Sequence, residues 1–320
     1  MRLHVVTGKG GTGKTTVAAA LALALASGGR KVLLVEVEER QGLAQLFDVP
    51  PLPYAERKLA VAPGGGDVFG LAVDAHEAMH EYLEMYYHLG RAGRALDRLG
   101  VVDFATTVAP GLRDVLLTGK TYEVTRRRTP GGRPVYDAVV LDAPPTGRIV
   151  RFLNVTAAVT SLARVGPVSR HARLTMDLIR SPQTAVHVVT LLEEMPVQET
   201  LDAIDDLHEA EIPVGAVVVN QVREQYLSSR DVLAARRRRL DRDAIRDGLS
   251  AAGLKATDAA VERLVAEAAA HAERVDLEAE QRAFIDKAER PVYQLPRIAA
   301  GIDLTALYEL AESLAEQGAA

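Results

Sequence analysis

Cysteine is absent from the 320 residues. That excludes disulfides, a thiolate nucleophile and any cysteine–zinc cluster, and it suits a reducing compartment. Long apolar runs are missing too. The longest, within residues 17–26, is alanine-rich and falls well short of the roughly 20 residues a bilayer-spanning helix needs. The first strand-like run starts at Leu3, which leaves no room for a signal peptide, so the expectation is a cytoplasmic protein without a membrane span. An excess of positive charge is also lacking. The 38 Lys and Arg against 43 Asp and Glu leave a formal charge of −5, and nucleic acid is not expected as a partner. Apolar residues, by contrast, make up 48% of the chain, enough for a sizeable core in one large domain or two small ones.

The most informative stretch is Gly8-Lys9-Gly10-Gly11-Thr12-Gly13-Lys14-Thr15-Thr16, which fits the phosphate-binding pattern G-x-x-x-x-G-K-[ST]. Glycines let successive backbone N–H groups turn inward around phosphate oxygens, and the N-terminus of a following helix adds positive potential. Lys14 can reach the β and γ phosphates, and the Thr15 hydroxyl can ligate magnesium. The flanks agree with this reading. Leu3 to Thr7 reads as a buried strand and Thr16 to Leu25 as a buried helix. Gly8, Gly10 and Gly13 also satisfy the dinucleotide pattern G-x-G-x-x-G, but Lys14-Thr15 directly after the last glycine favours a nucleoside triphosphate.

Further apolar runs at Lys31–Val35, Val68–Val73, Tyr136–Asp142, Ala185–Leu192, Pro213–Asn220 and Val292–Pro296 alternate with helical patterns. That order predicts an α/β fold with a mostly parallel sheet. Residues 48–67, rich in Pro and Gly, read as a surface connection. Three carboxylates, Glu36, Glu38 and Glu39, follow the second strand, where open α/β sheets bind ligands; a solvated turn is the other reading. Asp142 closes another apolar strand and suits a magnesium-supporting role, the alternative being a cap for the next helix. The following Ala143-Pro144-Pro145-Thr146-Gly147 reads as a rigid loop whose glycine allows closure on a γ-phosphate. Asn220 ends a strand near the expected nucleotide. Its amide can pair with an adenine edge or simply form a turn.

Two other patterns carry less. His76-Glu77-Ala78-Met79-His80 matches the zinc-protease helix H-E-x-x-H, with Glu84 and His88 further along the same face. No third-ligand extension follows, and an ordinary helix is the better reading. Arg236 to Arg239 lie among Asp231, Asp241 and Asp243, as on a solvated helical face.

Together these motifs resemble the arsenical-pump-driving ATPases and the guided-entry ATPases that deliver tail-anchored membrane proteins. Both belong to a deviant P-loop group, marked by a second lysine early in the loop, here Lys9. Residues 142–153 resemble the family's switch loop D-T-A-P-T-G-H-T-L-R-F-L. Residues 110–114 are similar to its P-G-x-D/E-E turn, read as a turn leading into a helix. Val218–Gln221 and Leu295-Pro296 resemble its adenine-contacting segments. The likeness is strongest to a single-loop actinobacterial subgroup, labelled anion-transporting ATPase, that is associated with paired paralogues.

The resemblance implies one deviant P-loop NTPase domain over residues 1–320. It would carry helical insertions at about 75–130 and 154–183 and a variable helical segment at about 223–290. It further implies Mg²⁺ and ATP, with Lys9 reaching across a homodimer or a heterodimer with a paralogue. Thr15 and Asp142 would serve the metal, Thr146 would sense the γ-phosphate, and Asn220 and Pro296 would frame adenine. Aligning Val32–Val35 puts Glu38 at the water-orienting aspartate of the family's D-P-A-H. The side chain there is one methylene longer, and no Pro-Ala-His follows it. The family's C-x-x-C clasp and arsenite-binding cysteines are absent, so a dimer must be held otherwise and metalloid triggering is not expected. A hydrophobic client or membrane partner is implied, although only 5 methionines are present and Met79, Leu83, Met85, Tyr86 and Leu89 serve equally well as core. Two alternatives remain. One is an ATP-binding regulatory subunit with little turnover of its own. The other is a division-site-type positioning ATPase, which would need a basic amphipathic C-terminal helix where Leu304 to Ala315 is acidic.

Overall fold

The computed structural model describes residues 2–38, 40–87, 110–155 and 167–320. Eight strands form one sheet in the order β3-β4-β2-β5-β1-β6-β7-β8. They are β1 (Leu3–Gly8), β2 (Lys31–Glu36), β3 (Arg57–Val61), β4 (Asp67–Ala72), β5 (Ala138–Asp142), β6 (Thr184–Thr190), β7 (Val214–Val222) and β8 (Val292–Pro296). All pairings are parallel except β3 with β4. The central strands are buried on both faces, which is why β1, β2, β5 and β6 read as continuous apolar runs rather than alternating ones.

Helices cover both faces. On one side lie α1 (Lys14–Ala26), the short α2 (Gly42–Leu46) and the closing α11 (Leu304–Glu316). They bury Val17, Leu21, Leu25, Leu43, Leu307 and Leu314 with the sheet's Val6, Leu34 and Val140. The alanines of α1 let it sit flush between the sheet and α11, and nearly every residue of it is buried. The other side is built by α3 (Ala75–Tyr87), α4 (Pro110–Arg126), α5 (Thr146–Leu153), α6 (Pro167–Ile179) and α7 (Glu194–Glu209). Leu116, Val124, Ile149, Phe152, Met176 and Leu207 pack there against Val5, Leu33, Val35 and Leu141. Neighbouring strand residues thus face opposite layers, and at each strand's carboxyl end this alternation decides which side chains meet.

Three expectations need correction. The surface connection at residues 48–67 contains β3, joined to β4 by a hairpin whose Gly66 sits at φ +105°, where a Cβ would come within 2.1 Å of the Ala26 carbonyl. The sequence signal is weak because only Ala60 of β3 is buried. The expected turn at residues 110–114 is instead the first turn of α4, with Pro at a position where its missing N–H costs nothing. Thr146 and Gly147 are the first residues of α5, not a loop, and Gly147 has no left-handed backbone. The segment 223–290 resolves into α8 (Ser229–Arg236), α9 (Arg242–Ala251) and the 29-residue α10 (Asp258–Asp286). Ser228, Asp241 and Thr257 cap them, each accepting backbone N–H bonds. Arg236 to Arg239 are exposed there, and Arg236 pairs with Asp276 at 2.7 Å. The helical reading from Ala75 holds to Tyr87. The side chains of Met85 and Tyr86, and His88 and Leu89 entirely, lie outside the described residues.

His4 on β1 and His187 on β6 stack with centroids 5.3 Å apart, His4 Nδ1 lying 3.1 Å from His187 Nε2. Burial holds both rings neutral, His4 down to about 3, helped by His187, and His187 down to about 4. The free edge at β8 is closed by a side chain. The Gln317 amide accepts from Gln294 N–H and donates to Gln294 C=O, both at 2.8 Å, as a neighbouring strand would.

Candidate active site

The carboxyl ends of β1, β5, β2 and β6 converge where the chain crosses from one side of β1 to the other, the position at which open α/β sheets bind ligands. Here the loop 8–13 leaves β1 and enters α1 at Lys14. Its path is fixed by contacts on all sides. Thr7 Oγ1 donates to the Pro144 carbonyl at 2.7 Å, and the buried Thr12 hydroxyl donates back to Lys9 C=O at 2.9 Å. A Cβ on Gly8 would stand 2.2 Å from the Val189 carbonyl. One on Gly13, at φ +88°, would stand 2.4 Å from Asn220 Nδ2. Gly10 and Gly11 by contrast face open space, leaving their backbone free to approach a phosphate. Thr16 is half-buried in the first turn of α1.

Lys14 is 8% exposed and forms no ion pair among the described residues. At the next residue, Thr15 Oγ1 donates to Asp142 Oδ2 at 2.7 Å. Asp142 ends β5 directly beside Glu36, its register partner at the end of β2. Both side chains follow the alternation set by Leu34 and Val140, toward α1. Glu36 is buried, and its Oε1 accepts the Gly42 N–H at 2.8 Å. Asp142 Oδ1 and Glu36 Oε2 are buried with no partner. Burial raises the Asp142 carboxyl to about 7. Thr15 and Lys14 oppose that shift, while Glu36 and Glu38 add to it. A hydroxyl and two unsatisfied carboxylate oxygens at a phosphate loop suit a hard divalent cation that keeps part of its water shell, so the residues present fit magnesium. Glu38 is half-buried and near enough to influence Asp142; Glu39 lies outside the described residues.

The other expected residues are placed less simply. Lys9 is engaged within its own chain, its Nζ 2.6 Å from Glu199 Oε1 on α7. The second oxygen of Glu199 accepts from Thr146 Oγ1 at 3.2 Å. Asn220 donates to the Thr12 carbonyl at 2.8 Å and accepts from Gln221 N–H at 2.9 Å, so its first task is to pin the phosphate loop. Pro296 lines a different cavity, of about 660 Å³, from the one of about 620 Å³ that Asn220 lines. The two are separated by Val222, Arg223, Arg274 and Arg297, which border both. Asp114 is buried on α4, and its carboxyl is raised by burial against the pull of Arg148 and Arg151 on α5. The His76 and His80 rings meet edge to face at 4.7 Å. Among the described residues no cluster of three His, Cys, Asp or Glu side chains can hold a metal.

In the sequence Glu36 stands only as one of three carboxylates after the second strand, with no role of its own, and Glu199 belongs to no motif. Strand periodicity could have found Glu36, since it shares the parity of Val32 and Leu34. No sequence signal points to Glu199, whose contacts join residues 190 and 53 positions away.

The sequence profile of the anion-transporting ATPases matches residues 1–173 and 166–247. The chain belongs to that family. It is 56% identical to the ATPase BagA of Mycobacterium tuberculosis over 318 residues, covering 99% of this chain and 94% of that protein. It is 26% identical to the arsenical pump-driving ATPase of Acidiphilium multivorum over 250 residues, 72% of this chain but 41% of that protein. The family's activity assigns the phosphate loop its substrate, and this family member is an ATPase. Among the described residues no helix is long and apolar enough to cross a membrane.

Proposed function

We propose that the chain is a Mg·ATP-driven dimeric switch that couples nucleotide turnover to capture and release of a client. The observation that carries this reading is the meeting of Lys14, Thr15 and Asp142 beside a glycine cradle open at Gly10 and Gly11. Lys14 holds the β and γ phosphates, Thr15 and Asp142 hold the magnesium, and Glu38 orients the attacking water. Glu199 links Lys9 of the phosphate loop to Thr146 at the start of α5, so both respond when a γ-phosphate arrives. An apolar cavity of about 290 Å³ between α3, α4 and α6, lined by Met79, Leu83, Leu112 and Leu116, supports a client with an apolar segment.

Turnover by the purified chain, with Lys14→Ala and Glu38→Gln as controls, tests this reading. Loss of turnover in both is expected of a self-sufficient ATPase. Turnover that survives Lys14→Ala would remove the phosphate-loop assignment. A second reading is favoured by the longer Glu38 and by the Lys9–Glu199 pair: an ATP-binding subunit that turns over only with a paralogous partner. Misplacing a catalytic group by about 1 Å can cost ~10²-fold in rate. ATP binding without turnover by the chain alone would select this reading.

A further inference from the structure

Glu36 is a buried carboxylate of the site to which none of the motifs above assigns a role. It is 2% exposed at the end of a strand with apolar neighbours on both sides. Oε1 anchors Gly42 N–H at 2.8 Å, the first residue of α2, while Oε2 has no partner. A bond to one backbone N–H needs only one oxygen, and a glutamine would make it without charge. Retaining a buried carboxylate beside Asp142, itself half unsatisfied, costs free energy unless a cation joins them. Gly42 also shows how close the parts are. A Cβ there would stand 3.6 Å from Glu36 Oε1 and 3.9 Å from Thr15 Oγ1.

We propose that Glu36 is a magnesium-positioning residue. Its free oxygen holds water of the ion carried by Thr15 and Asp142, while its bonded oxygen fixes the segment that carries Glu38. Magnesium keeps several waters and favours carboxylates that reach it through them. Partners that orient a metal's ligands typically change affinity by about 10- to 100-fold. Glu36 thereby ties the metal to the loop between β2 and α2. The inference rests on the Mg·ATP reading above.

Titration of a fluorescent ATP analogue at rising Mg²⁺, with wild type, Glu36→Gln and Glu36→Asp, tests it without measuring turnover. Glu36→Gln keeps the acceptor for Gly42 and removes the charge. Its magnesium requirement for ATP binding should rise about tenfold, while metal-free ATP affinity stays equal or increases and the metal-free protein melts no lower than wild type. Glu36→Asp should lie between the two in magnesium requirement, because charge is kept. A glutamine variant with the wild-type magnesium requirement, or an aspartate variant no better than glutamine, would overturn the proposal and leave Glu36 as a loop anchor. If wild type bound ATP without regard to Mg²⁺ or to Lys14→Ala, the Mg·ATP reading itself would fall.

Discussion

Lys9 Nζ lies 2.6 Å from Glu199 Oε1 of the same chain, whereas the family resemblance implies a reach toward a partner subunit. Glu199 holds Thr146 as well, so one carboxylate on α7 occupies two groups expected to meet a γ-phosphate. The pair is partly solvated, with side-chain exposures of 29% and 36%, and such bridges are worth about 0.2–1 kcal/mol.

Glu199→Gln therefore should raise ATP affinity about two- to fivefold and leave ADP affinity unchanged. Calorimetric titration with both nucleotides measures this. An equal change for both would mean that Glu199 does not answer to the γ-phosphate.

Lys14→Ala should weaken ATP binding by about 10- to 100-fold, the value of a hydrogen bond to a charged group, without lowering thermal stability. The buried ammonium has no ion pair to lose among the described residues. Equilibrium binding and a melting curve by circular dichroism together check both halves.

Gly13→Ala should fail twice, through a left-handed backbone at φ +88° and through a contact of 2.4 Å with Asn220 Nδ2. The backbone part alone costs about 1–2 kcal/mol. Adding Asn220→Ala should recover the steric part and not the backbone part. A double-mutant cycle of melting temperatures would show that coupling, and simple additivity would argue against it.

Acid should weaken the fold through His4 and His187. Their folded values of about 3 and about 4 lie below the ordinary 6.5. Between these limits the unfolded chain binds more protons, so stability falls as pH drops from about 6.5 toward 4 and is fully present above 6.5. His187→Phe should flatten that part of the profile, as read from melting temperature against pH. An unchanged slope would place the acid sensitivity elsewhere.

The phosphate loop was legible because its chemistry is local. Eight consecutive residues, Gly8 to Thr15, supply the glycines, the lysine and the hydroxyl, and β1 and α1 flank them as periodicity implies. Asp142 was legible for a related reason: a carboxylate ending a buried apolar run has little else to do. The strand β3 was hidden because an edge strand with one buried residue carries no alternation, and α5 was hidden because Pro144-Pro145 reads as a loop although Pro145 serves as the residue before a helix.

The sequence by itself determined the parallel α/β class, through apolar runs alternating with helical patterns, and the phosphate-loop pattern, through spacing along one stretch of chain. Only the tertiary structure decided the rest. Glu36 meets Asp142 because β2 and β5 are neighbours in register. Asn220 locks onto Thr12 across 208 residues, and Glu199 reaches Lys9 across 190. Spacing cannot state such contacts. They depend on which strands lie side by side and on which face each side chain leaves, and those are properties of the packed sheet.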